Sequence, residues 1–393
     1  MKNKGYLNMT KKIFKLVTAF FLLAVMPAFS YALEPKLLWE KKLDFEVNDY
    51  AVAEESGDII ICAKYAGKFM VFNKDGKTRY EWGPRVDRKP ISVGISNDGS
   101  RFVYSSAWTE GFATKKQKQG IHGWDGRTHY LDSTGRELWN VKSEYSITRI
   151  SPDGSLVAVT GIPGESGGLV VYDGTGEAIL VGDVGGAGSL FFLSNGKYIL
   201  TDEDKFIYLF DKDKILWKKE FSREISSLRS IDNSGTYMAT GLFEGMHRFG
   251  NNGEIAYING ETIKSGAYDA HVSLDGSKGY VIDSEGFKVY SIPEGKLLRN
   301  SPLTFPTDND GYGISYDVSS DWRYIVLAED NKKGEGNTSF TIVDTIGKKT
   351  IKKTLPGENL VVNFLLGGKY LFVLSGKPEP ESKASLYLYE LGD

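Results

Sequence analysis

The stretch Ser151–Gly161, SPDGSLVAVTG, decides the fold of this chain of 393 residues. Its first four residues are typical of a tight turn, and the residues after them form an alternating, mostly apolar run that favours a β-strand. The turn predicts a positive φ at Gly154 or at its neighbour. Related stretches recur along the sequence, such as SNDGSRFVYSS (96–106) and SLDGSKGYVID (273–283), which indicates a repeat protein.

Two strand–turn–strand motifs alternate along the chain. The first motif, of the SPDGS type, occurs eight times, and the second, seen in LDSTGRELWNV (131–141) and FDKDKILWKK (210–219), occurs seven times. The chain ends on YLYELGD (387–393), the first half of an eighth copy, whose missing half, KLLWEKKL (36–43), lies at the opposite end. Two hairpins in about 40 residues are typical of a propeller blade. We therefore predict an all-β fold, an eight-bladed β-propeller of four-stranded antiparallel blades, whose ring is closed by the N-terminal strand completing the last blade.

The first 32 residues have the composition of a secretory signal peptide. Five lysines precede the apolar run Leu16–Phe29, and Ser30–Ala32 supplies small residues at the two positions that a signal peptidase reads. The run is shorter than the roughly 20 residues that span a bilayer, which argues against a membrane anchor. We predict cleavage after residue 32, a periplasmic or secreted location, and a single propeller domain over residues 33–393 with no transmembrane segment.

The mature chain is acidic. Removal of residues 1–32 takes away 5 of the 48 basic residues and none of the 51 acidic ones, which leaves 43 basic residues and a net charge of −8. Nucleic-acid binding calls for a basic surface, so this balance argues against a nucleic-acid partner. Cys62 is the only cysteine, which excludes an intramolecular disulfide, and its strand-like surroundings predict a buried small side chain.

The repeats carry a family resemblance. LDSTGRELWNV (131–141) and FDKDKILWKK (210–219) resemble the D-x-x-T-G-x-x-x-W repeats of pyrroloquinoline-quinone (PQQ)-like propellers, and SPDGS resembles the units of TolB-type, WD-repeat-like propellers. The family includes quinoprotein dehydrogenases and non-catalytic scaffolds of the BamB type. The dehydrogenases carry an adjacent cysteine pair beside the cofactor, and this chain has one cysteine. The resemblance therefore implies a scaffold more than a dehydrogenase, with no cofactor and no bound PQQ.

The irregular loops of the predicted propeller lie on one face, and the short repeated turns lie on the other. The largest irregular insertion, residues 105–129, reads SSAWTEGFATKKQKQGIHGWDGRTH. Exposed aromatic side chains beside basic groups suit the recognition of a protein, a glycan or an anionic ligand. The alternative is a loop folded over its blade, with the tryptophans packed as a small satellite core. The candidate binding residues of this loop are Trp108, Phe112, Lys115, Lys116, Lys118, His122 and Trp124.

Acidic residues gather in other loops of the same face. In TDNDGYG (307–313), Asp308 and Asp310 stand ahead of a glycine, a weak similarity to a calcium loop that lacks the distal glutamate of an EF-hand. We include both aspartates among the candidate binding residues, with a solvated rim as the alternative. The four histidines form neither an H-x-x-x-H motif nor a cluster with cysteine, so no metal site is predicted.

The sequence contains no recognisable nucleophile elbow, phosphate-binding glycine loop or catalytic triad. The favoured function is that of an exported, monomeric, non-enzymatic propeller, which binds an envelope or extracellular protein or another ligand through its irregular loops. The alternative is a propeller enzyme or cofactor-binding protein with a site at the mouth of the central channel. Convergence of polar, ionisable side chains at that mouth would favour the alternative.

Overall fold

The structure is a computed structural model of the chain. It describes residues 34–392 except for 64, 84–86, 109–114, 116–125, 144–146, 161–168, 183–186, 194–196, 203–205, 212–213, 221–224, 232–236, 244–250, 258–261, 268, 274, 284, 293, 303–314, 330–336, 348, 358 and 377–382. Within these residues, no helix is both long and apolar enough to cross a membrane. The predicted signal peptide, residues 1–32, lies outside the described residues.

Strands follow one another through the whole of the described chain, with one short 3-10 turn, Leu366–Gly368. In chain order the strands are β1 (Lys36–Lys42), β2 (Asp49–Val52), β3 (Ile59–Ala63), β4 (Lys68–Phe72), β5 (Thr78–Trp82), β6 (Arg88–Ile95), β7 (Arg101–Trp108), β8 (Arg127–Asp132), β9 (Glu137–Lys142), β10 (Thr148–Ile150), β11 (Leu156–Thr160), β12 (Leu169–Asp173), β13 (Ala178–Gly182), β14 (Ala187–Phe192), β15 (Lys197–Asp202), β16 (Phe206–Asp211), β17 (Lys214–Glu220), β18 (Ile225–Ile231), β19 (Tyr237–Phe243), β20 (Asn251–Tyr257), β21 (Thr262–Ala267), β22 (Asp269–Val272), β23 (Lys278–Asp283), β24 (Gly286–Ser291), β25 (Leu297–Ser301), β26 (Ser315–Val318), β27 (Tyr324–Glu329), β28 (Asn337–Asp344), β29 (Lys349–Pro356), β30 (Asn359–Leu365), β31 (Tyr370–Gly376) and β32 (Ala384–Glu390).

The described strands form eight antiparallel sheets of four strands each. Sheets 1 to 7 each take four consecutive strands, from β2–β5 for sheet 1 to β26–β29 for sheet 7. Sheet 8 has the order β1-β32-β31-β30, so the N-terminal strand is its fourth strand. Lys36 lies opposite Glu390 and Lys42 opposite Ser385 in this pairing. The prediction of an all-β fold built from four-stranded antiparallel sheets is confirmed.

The core lies between neighbouring sheets. All five residues of β3 are buried, including Cys62 as predicted, whereas the fourth strand of the same sheet, β5, is largely exposed. Burial on both faces explains why β3 is a continuous apolar run and not an alternating one. Phe69 of sheet 1 packs with Phe102 of sheet 2, and Ile61 of sheet 1 packs with Phe372 of sheet 8. Each sheet therefore needs a neighbour on either face to bury its apolar surface.

The SPDGS motif forms the tight turn that its sequence predicts. The amide of Gly154 donates to the carbonyl oxygen of Ser151 at 2.8 Å, and Gly154 has φ 73°. Asp153 Oδ1 accepts hydrogen bonds from the Ser151 hydroxyl at 2.6 Å and from the amide of Ser155 at 3.0 Å. These bonds occupy the polar groups of the turn and join the first two strands of the sheet.

A β-bulge near the start of the fourth strand directs one side chain towards the next sheet. In β1 the pairing passes from Leu37 to Trp39, and Leu38 is the extra residue. The indole of Trp39 lies against Gly76 in the β4–β5 turn of sheet 1, and its Nε1 donates to the carbonyl oxygen of Lys74 at 2.8 Å. A bulge bends the strand and redirects the residue that follows it. We call this contact between a fourth strand and the glycine turn of the next sheet the latch.

The latch recurs with related side chains. Trp139 of sheet 2 lies against Gly176 of sheet 3, and its Nε1 donates to the carbonyl oxygen of Gly174 at 3.3 Å. Tyr80 of sheet 1 lies against Gly135 of sheet 2. In sheet 6 the same position holds Arg299, which donates to the carbonyl oxygen of Trp322 at 2.8 Å and to Thr345 Oγ1 at 2.7 Å in sheet 7. The residue after the bulge therefore joins each of these sheets to the next.

The latch predicts that Gly176 does not tolerate a side chain. Gly176 has φ 88°, and a Cβ atom there would lie 2.9 Å from Trp139 Cγ. We expect Gly176→Ala to lower the free energy of unfolding, measured by urea denaturation, by about 1–3 kcal/mol, because alanine is strained at positive φ. The matched control is Gly174→Ala, whose Cβ would have its nearest neighbour, the carbonyl oxygen of Ser155, at 3.7 Å. An equal loss in the two variants would contradict the latch.

Candidate functional site

The structure describes both ends of the large insertion, residues 105–129. Trp108 is the last residue of β7 and is only 8% exposed, and Lys115 is exposed. A tryptophan buried to this degree serves packing, which is the alternative that the sequence left open for this loop. The other predicted binding residues lie outside the described residues, so their part of the prediction stays a prediction: Phe112, Lys116, Lys118, His122, Trp124, Asp308 and Asp310.

The far end of the insertion is also packed. The ring of His129 in β8 stacks on Tyr104 with centroids 4.4 Å apart, and its Nδ1 lies 2.6 Å from Glu137 Oε2. Burial lowers the pKa of His129, and the hydrogen bond to Glu137 opposes that shift. The ends of both strands that carry the insertion, Trp108 of β7 and His129 of β8, are therefore packed within the fold.

Polar side chains on the first strands link neighbouring sheets. Asp49 in β2 accepts from its neighbour, the amide of Tyr50, at 3.0 Å and from the amide of Val93 in β6 at 3.0 Å. The hydroxyl of Ser92 in β6 accepts from the amide of Thr148 in β10 at 3.4 Å. In both cases, a side-chain oxygen on the first strand of one sheet accepts a hydrogen bond from a backbone amide on the first strand of the next sheet. These hydrogen bonds hold the first strands in place.

Asp317 in β26 makes the same kind of link between sheets 7 and 8. Its Oδ1 accepts from the amide of Val318 at 2.8 Å and its Oδ2 from the amide of Phe364 in β30 at 2.6 Å. Burial raises the pKa of Asp317 to about 6, while these backbone bonds and the charge of His271 in sheet 6 act in the opposite direction. A side-chain hydrogen bond with Asn363 also favours the ionised form.

Tyr50 joins sheet 1 to this group. Its hydroxyl donates to Asn363 Oδ1 at 2.6 Å, and burial, with the charges of Asp317 and Asp49, raises the pKa of the phenol. We call Tyr50, His271, Asp317 and Asn363 the first-strand cluster. It brings side chains of sheets 6, 7, 8 and 1 together, although the sequence places them far apart.

The chemistry of the first-strand cluster is that of a hydrogen-bonded support. Both oxygens of Asp317 accept backbone amides, and the raised pKa of Tyr50 keeps the phenol protonated as a donor. The described part of the chain contains no group of three or more histidine, cysteine, aspartate or glutamate residues that could hold a metal ion. The arrangement explains strand positions and provides no activated nucleophile among these residues.

Sequence reasoning missed the first-strand cluster. The available signal was a single acidic residue inside a short apolar strand directly before the first turn of a repeat, as in DYAV (49–52) and SYDV (315–318). A charged residue in such a strand requires a partner when it is buried. Its partner is a backbone amide of the next repeat, which no local pattern reveals.

Asp317 predicts a pH dependence of stability. Its pKa lies at about 6 in the folded protein and at 3.8 ordinarily, so between these values the folded state retains a proton that the unfolded state has lost. The resulting stabilisation is complete below the unfolded pKa and is lost as the pH rises through the folded pKa. We expect the free energy of unfolding of the wild type, relative to Asp317→Asn, to fall between about pH 5 and pH 7 in urea denaturation.

Asp275 supplies the control for this experiment. The hydrogen bond from the Ser273 hydroxyl lowers the pKa of Asp275 to about 2, so this carboxyl is ionised in both states across the same window. The difference in the free energy of unfolding between the wild type and Asp275→Asn should therefore stay constant from about pH 5 to pH 7. If the difference in the free energy of unfolding between the wild type and Asp317→Asn is also constant over this range, the result would contradict the raised pKa of Asp317.

Comparison with known proteins identifies the fold. No known protein family and no curated protein matches the chain in sequence. Among solved structures, BamB from Moraxella catarrhalis is 14% identical, with a TM-score of 0.55 over 90% of this chain and 99% of that one. The β-propeller domain of Cps50 (Swd1) from Myceliophteria thermophila is 9% identical, with a TM-score of 0.50 over 91% of this chain and 100% of that one. At these identities the likeness concerns the fold alone: the chain is similar in fold to β-propellers.

Proposed function

We propose that the eight sheets are the blades of a closed, eight-bladed β-propeller. The contacts that join consecutive sheets also join the last sheet to the first. Trp39 of sheet 8 lies against Gly76 of sheet 1, as Trp139 of sheet 2 lies against Gly176 of sheet 3. The amide of Leu366 in the first turn of sheet 8 donates to the carbonyl oxygen of Glu54 in the first turn of sheet 1 at 3.2 Å. Closure leaves no sheet with an uncovered face, which favours the ring over an open array.

The proposed protein is exported. Residues 1–32 act as a cleaved signal peptide, and residues 33–393 form the mature, monomeric propeller in the periplasm or outside the cell. The basic head, the apolar centre and the small residues Ser30–Ala32 support this proposal.

The mature propeller binds a protein, or another ligand, through the irregular loops of one face. The observation that carries this proposal is that the turns of the opposite face have their polar groups occupied internally. Asp132 Oδ1 accepts from the amide of Thr134 at 2.9 Å and from the Thr134 hydroxyl at 2.6 Å, and Asp173 makes the same bonds to Thr175. Turns of this kind serve the fold, and variation on a regular scaffold is left to the long loops.

In this proposal, binding is carried by the part of the insertion that follows Trp108 and by the acidic loop 307–313. Lys115, Lys116 and Lys118 attract an acidic partner, Trp124 supplies an aromatic anchor, and Trp108 supports the base of the loop. Phe112 and His122 complete the aromatic surface, and Asp308 and Asp310 lie in the acidic loop. No cofactor is required for this function.

The first-strand cluster favours a second candidate function, a cofactor-binding or catalytic site at the channel mouth. A carboxyl with a pKa raised to about 6, beside a tyrosine and a histidine, is the kind of group that functional sites contain. The backbone amides that occupy both oxygens of Asp317 favour the structural role. We therefore rank the non-enzymatic propeller first.

The two tryptophans of the insertion test the binding proposal. The probe is the partner captured from the native envelope with the mature protein as bait. Trp124→Ala should weaken binding by about 30-fold, the equivalent of a 2 kcal/mol hot spot, without a change in melting temperature. Trp108→Ala should lower the melting temperature, because Trp108 is buried.

Charge reversal at Lys115, Lys116 and Lys118 adds a kinetic test. If these lysines attract an acidic partner, reversal should lower the association rate at low salt and reduce its dependence on salt. Normal binding by both Trp124→Ala and the charge-reversed variant would move the site away from this loop.

A further inference from the structure

The strand β29 differs from the other fourth strands of the sheets. Its pairing with β28 is regular from Lys349, opposite Asp344, to Pro356, opposite Asn337. The fourth strands β1, β5, β9, β13, β17, β21 and β25 all contain a register shift near their start. Among the described fourth strands, β29 alone therefore presents an uninterrupted edge of eight residues.

The position of the chain termini explains the missing bulge. In sheets 1, 2, 6 and 8, the residue after the bulge contacts the turn between the third and fourth strands of the next sheet. The sheet that follows β29 is sheet 8, whose third and fourth strands, β32 and β1, are not consecutive in the chain. No such turn exists there for a latch to reach, so β29 has no need of a bulge. It keeps the regular geometry that a bulge would disrupt.

A regular edge strand is a template for a further strand, because its outward N–H and C=O groups are evenly spaced. On β29 the side chains of Thr350, Lys352 and Thr354 are exposed, and Lys349 and Lys353 are half-buried on the opposite face. The strand contains three lysines and no acidic residue, within a mature chain of net charge −8. Such an edge repels a second copy of itself and attracts a strand that carries carboxylates.

The fourth strands of sheets 6 and 8 also carry exposed side chains. Leu297 and Leu298 in β25 are 47% and 49% exposed, and Leu37 in β1 is 45% exposed. Lys36 and Lys42 at the two ends of β1 are also exposed. Sheets 6 and 8, which precede and follow sheet 7, therefore also carry exposed apolar side chains on their fourth strands.

We propose that β29 binds an extended acidic segment of a partner protein, which adds as a fifth strand to sheet 7. Backbone hydrogen bonds to the regular edge provide the pairing, and carboxylates opposite Lys349, Lys352 and Lys353 provide the selectivity. This surface lies on the outer strand of the sheet and does not depend on the loop-face binding proposed above. Either proposal can fail without the other.

The test uses a synthetic peptide of eight residues with glutamate at positions 4, 5 and 8, valine or threonine elsewhere and both ends blocked, so that antiparallel pairing with β29 places carboxylates opposite Lys353, Lys352 and Lys349 on both faces of the sheet. Addition of this peptide to the full mature protein should slow hydrogen exchange in residues 349–356 and leave residues 137–142 of β9 unchanged. The charge reversals Lys352→Glu and Lys353→Glu together should weaken binding, measured by fluorescence anisotropy, about tenfold or more, since each exposed ion pair is worth up to about 1 kcal/mol. The matched control is Lys142→Glu on the bulged strand β9, which should leave binding unchanged.

Four results would overturn the proposal. Equal binding of a peptide with lysine in place of glutamate would remove the charge selectivity. Equal binding of a peptide with N-methyl groups on alternate amides would show that no strand is added. A dimer in sedimentation analysis that Lys352→Glu abolishes would mean that a second copy of this chain covers the edge. Failure of the acidic peptide to protect residues 349–356 would count against the proposal in the same way.

Discussion

The structure depends on a contact between neighbouring sheets, a bulky side chain laid against a glycine turn, which joins sheet 1 to sheet 2, sheet 2 to sheet 3 and sheet 8 to sheet 1. Trp139 on Gly176 is the clearest case: the glycine must have positive φ, and the space above it must be empty for the indole. A four-stranded sheet that is apolar on both faces has no stability by itself. In sheets 1, 2 and 8, the bulge in the fourth strand turns this requirement for a neighbour into a fixed geometry, because it determines where the aromatic ring points.

Much of this framework is visible in the sequence. The turn around Gly154 predicts the hairpins and the four-stranded sheets, because a glycine turn between two apolar runs is typical of a hairpin. The two terminal half-repeats predict the pairing of β1 with β32, because each supplies the half that the other lacks. The sequence does not predict the bonds of Asp317, because its partner, the amide of Phe364, belongs to the next repeat. The sequence also leaves open whether the Trp108 side chain packs in the core or extends into solvent. The answer depends on how deeply the end of β7 is buried between the sheets.

The contacts described above indicate which parts of the chain serve the fold. Where the turns are short, side chains such as Asp132 and Asp153 bond within the turn, and Trp39 and Trp139 bond to the next sheet. Few polar groups of these turns therefore remain available to bind a partner. The proposed binding surfaces are therefore the long loops and the outer edge of sheet 7. The one described fourth strand without a bulge, β29, belongs to sheet 7 and precedes sheet 8, in which the first and last described strands pair.

The most direct measurement of ring closure is a disulfide between the two terminal strands. Lys42 in β1 lies opposite Ser385 in β32, so cysteines at these positions, in a Cys62→Ala background, would join the first and last strands of one molecule. The closed ring predicts an intramolecular bond, seen as a monomer of altered mobility in non-reducing electrophoresis with unchanged mass in solution. Disulfide-linked dimers, or two free thiols under oxidising conditions, would contradict closure by these strands.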